Sequence, residues 1–374
     1  MMQEDLLTEL RRRIAEMQRA APVRPQARAR LEVTLSACDS SVPPPEPLDP
    51  RLAAALDADG ADLVRARIVD TETTGLAGGT GTLAFLIGVG FWEGGVLRVE
   101  QLLLRAPGDE AELLARLDRL LAGAGVLVTF NGRSFDVPLL RTRYLMNRMS
   151  AAALERPHLD LLPPARRLFR GRALDCRLQT LEWLILHRRR QHAVDVPGAE
   201  IPGRYQSYLR TGDPAGLQAV AEHNRRDVVS TAVLLGDLLR RLGQPLEWAE
   251  DAWELLAAAQ TWSCAGDPTR ADAALARGLE LARSPPARRC LLRARARLAR
   301  RRGDGSLARA LWERYRDEFP DENLGFVETA KLCEHKLRDL SAALRAAEAA
   351  PRPGDELAHR IARLRRRTQA LRVH

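Results

Sequence analysis

Ile68-Val69-Asp70-Thr71-Glu72-Thr73-Thr74-Gly75 is the stretch on which the reading of this chain turns. An apolar run from Leu63 to Val69, with Arg65 and Arg67 interleaved, leads into two carboxylates spaced i, i+2 and then a glycine. Alternation and β-branched residues predict a strand. Side chains at i and i+2 leave a strand from the same face, so Asp70 and Glu72 project together near its end. Neighbouring carboxylates repel each other unless a cation lies between them. Hard divalent ions such as Mg²⁺ take oxygen ligands of this kind. Taken alone, the pair is more simply a strand running into an acidic turn.

Working outward, Gly75–Thr82 has the look of a phosphate loop, but it has no GK[ST] and Ala84 stands where the third glycine of GxGxxG belongs. It reads as a turn into a second strand, Leu83–Phe91, apolar enough to be buried on both faces. Glu93-Gly94-Gly95 predicts a hairpin into a third strand, Val96–Leu104. Leucines at 113, 114, 117, 120 and 121 mark a helical face over Glu110–Leu121. Gly125–Gly132 reads as a fourth strand ending in a turn. Ser134 is placed to cap the next helix, which carries Asp136 in its first turn. Hairpins make the first three strands antiparallel, and a helical crossover makes the fourth parallel to its neighbour. Ligands in such sheets gather at strand ends, within reach of Asp70, Glu72 and Asp136.

Further on, His158–Leu162 precedes a basic helical run with Arg166, Arg167, Arg170 and Arg172, then a segment from Thr180 to Arg190. Asp160 reads as a loop or cap carboxylate. Val196-Pro197-Gly198 and Ile201-Pro202-Gly203-Arg204-Tyr205 read as a loop. The segment from Leu217 to about Leu242 is a helix on which His223 and Asp227, i and i+4, share a face.

The 374 residues suffice for two or three domains. Residues 1–20 predict an amphipathic helix over Asp5–Arg19. Residues 21–51, rich in Pro, Arg and Ala, read as a linker or extended strap. Residues 52–245 form the main α/β domain. Residues 246–374 turn to Ala, Leu, Arg and Glu. There Ala265-Gly266-Asp267, Arg302-Gly303-Asp304 and Leu337-Arg338-Asp339 recur at a mid-thirties spacing, close to the roughly 34 residues of a tetratricopeptide unit. His359–Arg372 closes as a basic helix. The five cysteines form no CxxC or zinc pattern, which fits free thiols in a reducing compartment. No signal peptide and no apolar run of membrane length is present. The expected location is cytoplasmic, with no membrane partner. Net charge is +9 with a pI near 10.0, and Lys331 and Lys336 are the only lysines. Arginine grips phosphate bidentately, so the charge leans toward a polyanionic partner.

Three motifs in order carry a family resemblance. Asp70-Thr71-Glu72-Thr73-Thr74-Gly75, Phe130-Asn131-Gly132-Arg133-Ser134-Phe135-Asp136 and His223-Asn224-Arg225-Arg226-Asp227 resemble the three motifs of DEDD-type 3′–5′ exonucleases of the ribonuclease H-like superfamily. The closer likeness is to the bacterial YprB-like group. The resemblance covers residues 60 to 245 well and the tail loosely. It implies an α/β fold, a mixed five-stranded sheet flanked by helices, followed by an all-α, tetratricopeptide-like region. It implies two Mg²⁺ or Mn²⁺ ions held by Asp70, Glu72, Asp136 and Asp227, with Asp70 bridging and Asp136 acting partly through water. Those carboxylates and His223 are the implied catalytic residues; Thr73, Asn131, Arg133 and Asn224 are the implied substrate contacts. One departure stands out. Histidine-type members place the base five residues before the last aspartate, where this chain has Glu222. Tyrosine-type members use the fourth position, where this chain has His223. His223 is therefore either the base or a histidine of the helix surface or cap.

The function implied is hydrolysis of phosphodiester bonds at single-stranded ends of DNA or RNA. Two ions about 4 Å apart stabilise the charge that builds on the attacking and leaving oxygens. A structure-selective endonuclease is the alternative within the fold. A catalytically silent nucleic-acid-binding scaffold, its helical repeats recruiting a protein partner, is the alternative outside it.

Overall fold

The computed structural model describes residues 34–75, 80–188 and 196–370. The expected N-terminal helix, the loop tip at 76–79 and the end of the 180–190 segment lie outside the described residues.

Six strands among the described residues form one mixed sheet: β1 (Thr34–Asp39), β2 (Ala66–Thr73), β3 (Ala84–Glu93), β4 (Val96–Leu103), β5 (Val126–Thr129) and β6 (His158–Asp160). Their order is β1-β4-β3-β2-β5-β6. Five strands were expected; the additional one is β1, from the stretch read as linker. It pairs antiparallel with β4 from Thr34↔Leu102 to Asp39↔Leu97. The Pro- and Arg-rich surroundings hide this short run, whose backbone satisfies the donors and acceptors that β4 would otherwise leave open. The folded unit thus starts before residue 52.

Strands β2, β3 and β4 are antiparallel, as the hairpin signals predict. Glu93 pairs with Val96 across a two-residue turn, and Gly94 and Gly95 both take positive φ, 59° and 81°. That conformation matches the right-handed twist of the strands it joins. Strand β5 lies parallel to β2, and β6 parallel to β5. A short helix α1 (Pro50–Ala55) precedes β2. The crossovers are α2 (Glu110–Leu121) and α3 (Asp136–Met146). After β6 come α4 (Leu162–Leu168), α5 (Leu178–Leu184), α6 (Ile201–Thr211) and the long α7 (Ala215–Gly243).

Helix α6 corrects the loop reading of Ile201–Tyr205. Pro202 falls in its first turn, where no partner awaits an N–H and the fixed φ suits a helix. Tyr205 is buried, and its ring stacks on Phe85 of β3 with centroids 4.2 Å apart. The sheet has a core on each face. Phe85, Leu102, Leu114, Leu140, Tyr205 and Val220 belong to one. Ile68, Val128, Leu168, Val228 and Leu235 belong to the other. Helix α7 contributes to both.

The remainder is helical: α8 (Pro245–Trp248), α9 (Ala252–Cys264), α10 (Pro268–Leu281), α11 (Pro285–Arg301), α12 (Gly305–Glu318), α13 (Asn323–Leu332), α14 (Leu340–Glu348) and α15 (Asp355–Ala370). The three recurring turns share one construction. Gly266, Gly303 and Arg338 take left-handed φ of 73°, 82° and 56°. Asp267, Asp304 and Asp339 then cap the following helices, accepting from the N–H of Arg270, Leu307 and Ala342 at 2.9, 2.9 and 2.8 Å.

No packing gap separates the two parts at residue 245. Val228, Leu238, Leu255 and Trp262 sit in a single buried cluster. The Trp262 indole donates to the Leu242 carbonyl at 2.7 Å. Glu254, fully buried, receives Arg241 at 2.7 Å and Arg172 at 3.0 Å.

Candidate active site

Asp70 and Glu72 stand at the end of β2, where a register shift against β3 falls between Glu72 and Thr73. Such bulges re-aim side chains at strand ends. Helix α7 lies over this end because β3 carries glycine there. Gly88 is the cross-strand partner of Asp70. A Cβ on Gly88 would collide with the Asn224 amide oxygen and come within 2.8 Å of Val228 Cγ2; one on Gly90 would come within 2.7 Å of Val228 Cγ1. Two small residues at i, i+2 thus let the helix backbone approach the sheet.

That approach carries a buried amide relay. Gln101 of β4 donates through Nε2 to the Ala221 carbonyl at 2.7 Å and to Asn224 Oδ1 at 2.8 Å. With its oxygen claimed, Asn224 must aim its NH₂ the other way, where it meets Asp70 Oδ2 at 2.8 Å. Asn224 is fully buried. It was expected to touch substrate; instead it positions Asp70. Gln101 was not singled out by the sequence reading. Its signal there was faint: in a strand that also carries Arg98 and Glu100, Gln101 takes the position two after Val99 that alternation assigns to a buried apolar residue.

His223 and Asp227 face the same carboxylates from α7. His223 Nε2 lies 3.7 Å from Asp227 Oδ2 and 4.0 Å from Glu72 Oε1, and the histidine is buried. Glu222, the alternative position for a base, is tied to Arg225 and Arg226, each at 2.7 Å. Those guanidiniums hold its carboxyl below the usual range. The structure therefore brings His223, and not Glu222, to the site.

Asp136 begins α3 and is buried; its Oδ1 accepts from Thr71 Oγ1 at 2.6 Å. The expected Ser134 cap is absent: the helix starts at Asp136, with Phe135 in the cap position and no side-chain cap bond. Asp160, buried at the end of β6, does the organising work. It accepts from the N–H of Asn131 at 2.8 Å, Arg133 at 3.0 Å and Leu162 at 3.0 Å. Asn131 is held with φ at 69°, and a Cβ on Gly132 would strike Thr129. This latched turn delivers Asp136. Arg133 was expected to contact substrate, but its guanidinium is spent on the carbonyls of Asp57 and His158 at 2.6 and 2.5 Å. Thr73 and Asn131 do border a groove of about 490 Å³, along with Asp70, Thr71, Phe135 and Asp136. Phe135 stands exposed at that groove.

The electrostatics show a deficit of positive charge. Burial first, then the charges of Asp227, Asp136 and Glu72, push the Asp70 carboxyl well above its ordinary range, against the Asn224 hydrogen bond. Burial lifts Asp136 to about 6, against the Thr71 bond. Among the described residues no three carboxylate, imidazole or thiol groups are already drawn together closely enough to hold an ion. The four carboxylates act on one another through their fields rather than as a closed cage.

Comparison with known proteins agrees with this layout. Residues 68–239 match the RNase_H_2 family of the RNase_H superfamily, a span that runs from β2 to the third motif. The mixed sheet flanked by helices over these residues is consistent with a ribonuclease H-like fold. The chain is also 36% identical over 182 residues to "Uncharacterized protein YprB" of Bacillus subtilis (strain 168), covering 48% of this chain and 43% of that protein. The chain thus matches less than half the length of that curated relative.

Proposed function

We propose that this protein is a divalent-metal-dependent nuclease, acting as a 3′–5′ exonuclease on single-stranded ends of DNA or RNA. The observation that carries the reading is the field at Asp70: a half-buried carboxylate surrounded by Asp227, Asp136 and Glu72, its strongest favourable contact a neutral amide. Hard oxygen donors short of positive charge fit Mg²⁺ or Mn²⁺. The ribonuclease H-like match supports a nucleic-acid substrate and a nuclease class.

Asp70, Glu72, Asp136 and Asp227 are the residues that would hold two ions. When bound, such ions neutralise charge on both oxygens of an in-line displacement. The chain's own residues supply the rest. Asn224 and Gln101 fix which way Asp70 points, and Thr71 fixes Asp136. His223, within about 4 Å of two of the carboxylates, would take the proton of the attacking water, the general-base role an imidazole commonly fills. Thr73 and Asn131 border the groove in which the strand end would lie, and exposed Phe135 offers a stacking surface for a base. In this reading the helical region is an array of tetratricopeptide type. The test is metal-dependent degradation of matched single- and double-stranded DNA and RNA, end-labelled and internally labelled. Release of labelled mononucleotide from the 3′ end supports the exonuclease mode; internal fragments point to an endonuclease. No cleavage of any substrate with either ion overturns the reading.

A further inference from the structure

The basic character of the tail is not confined to its final helix. The final helix α15 carries Arg360, Arg363, Arg365 and Arg367. Glu334, buried beneath them, takes Arg360 at 2.6 Å, Arg363 at 2.8 Å and Arg367 at 3.0 Å, and Glu348 takes Arg365 at 2.8 Å. Four of the five arginines of this helix are thus engaged by a carboxylate, although Glu334 alone serves three of them. Helix α11 differs. Its 17 residues, PPARRCLLRARARLARR, include seven arginines and no acid. Ala287, Leu291, Leu292, Ala296, Leu298 and Ala299 form its buried side. Arg289, Arg293, Arg297 and Arg301, at i, i+4 intervals, run along the opposite side, with Arg300 beside them. Two of them, Arg289 and Arg300, reach Glu322 at 2.6 Å and Glu328 at 3.6 Å. Arg301 donates to the Ser263 hydroxyl at 2.9 Å. Among the described residues, no acidic side chain pairs with Arg293, Arg297 or Arg301.

We infer that this face of α11 is a nucleic-acid contact surface, holding the backbone of the strand whose end is cut at the carboxylates. The inference rests on the nuclease reading for its choice of polyanion. Three features favour nucleic acid over an acidic protein. The charges are arginine, whose planar fork matches phosphate. They run in a line at one-turn intervals, which suits a linear array of phosphates. The face also offers no aromatic or large aliphatic side chain, and protein interfaces are built around such a core.

The test uses the full chain carrying Asp70→Asn, so that bound strand is not consumed. Anisotropy with labelled single-stranded DNA and RNA is followed against salt, with and without Arg293→Gln, Arg297→Gln and Arg301→Gln together. Loss of three phosphate contacts should flatten the log–log salt dependence by roughly two units, at about 0.7 per contact for single strands. A charge-matched control replaces Arg277, Arg309 and Arg365, which are tied to Glu280, Glu313 and Glu348 at 2.7, 2.8 and 2.8 Å. It should flatten the slope far less. Equal flattening by both triples, or none by the α11 triple, overturns the surface. So does binding of poly-glutamate as tightly as of oligonucleotide. Metal-dependent cleavage of a short oligonucleotide by the unsubstituted protein separates the two readings. If that cleavage is present while the slope is unmoved, only the α11 proposal falls.

Discussion

Gly88→Ala is the smallest change that tests how the site is held together. The added methyl would meet the Asn224 amide oxygen and Val228 Cγ2, the latter at 2.8 Å. Neither can yield freely. Val228 is fully buried, and Asn224 is pinned between Gln101 and Asp70. Helix α7 must lift from β3, or the amide must swing off Asp70. Overpacking of this kind costs about 1–3 kcal/mol, and losing a hydrogen bond to a charged group costs a further ~1.5–3 kcal/mol. The two overlap, since one movement relieves both, so a net loss of about 2–4 kcal/mol is expected. Urea unfolding in EDTA measures it, with Gly108→Ala as control, where a Cβ meets nothing within 4 Å. Mn²⁺ binding by calorimetry on the folded variant should weaken as well, because Asp70 loses its orientation. A Gly88→Ala protein with parental stability and parental Mn²⁺ affinity would refute the close-approach argument.

Burial raises Asp136 to about 6, so the folded protein holds that proton more tightly than the unfolded chain. Its contribution is complete below about pH 4 and is lost as pH rises through 6, on the order of 3 kcal/mol in metal-free protein; Asp136→Asn, compared with the parent by unfolding in EDTA across this window, should remove that dependence. His223→Ala should slow single-turnover cleavage by about 10²-fold or more with metal affinity nearly intact, and His223→Tyr should recover part of the rate; an alanine variant with unchanged rate would make His223 structural. Truncation at Pro245, attractive from the sequence pattern, should instead give an insoluble or partly unfolded chain, because Arg241 would lose buried Glu254 and the Leu242 carbonyl would lose Trp262; a monomeric truncated chain with parental cooperativity would contradict that.

The sheet's antiparallel half was legible because β2, β3 and β4 have local signals: alternation, an apolar run and a two-glycine turn. The order of β5 followed from a helical crossover, which depends on handedness rather than on residue identity. Strand β1 was hidden because its pairing with β4 is a long-range event inside a stretch whose composition speaks for a linker. Helix α6 was hidden because a proline in a first turn looks the same in sequence as a proline in a loop. The carboxylates stood out by spacing and by likeness. The residues that aim them did not. Gln101, Thr71 and Asp160 act through hydrogen bonds to partners 123, 65 and 29 positions away, and no local pattern encodes such pairings. For the same reason Asn224 and Arg133 read as substrate contacts, although the fold commits both to holding the site together.

The central claim is that these carboxylates serve phosphodiester hydrolysis. The most direct measurement is single-turnover cleavage of a 3′-ended single-stranded oligonucleotide with Mg²⁺ or Mn²⁺, comparing the parent with Asp70→Asn. The substitution removes one charge with almost no change of shape, and the Asn224 contact can still be made. The account predicts metal-dependent cleavage by the parent, none in EDTA, none by the variant, and a variant that in EDTA at neutral pH is at least as stable as the parent, since it loses the repulsion from Asp227, Asp136 and Glu72. Undiminished cleavage by a clean Asp70→Asn preparation would contradict it.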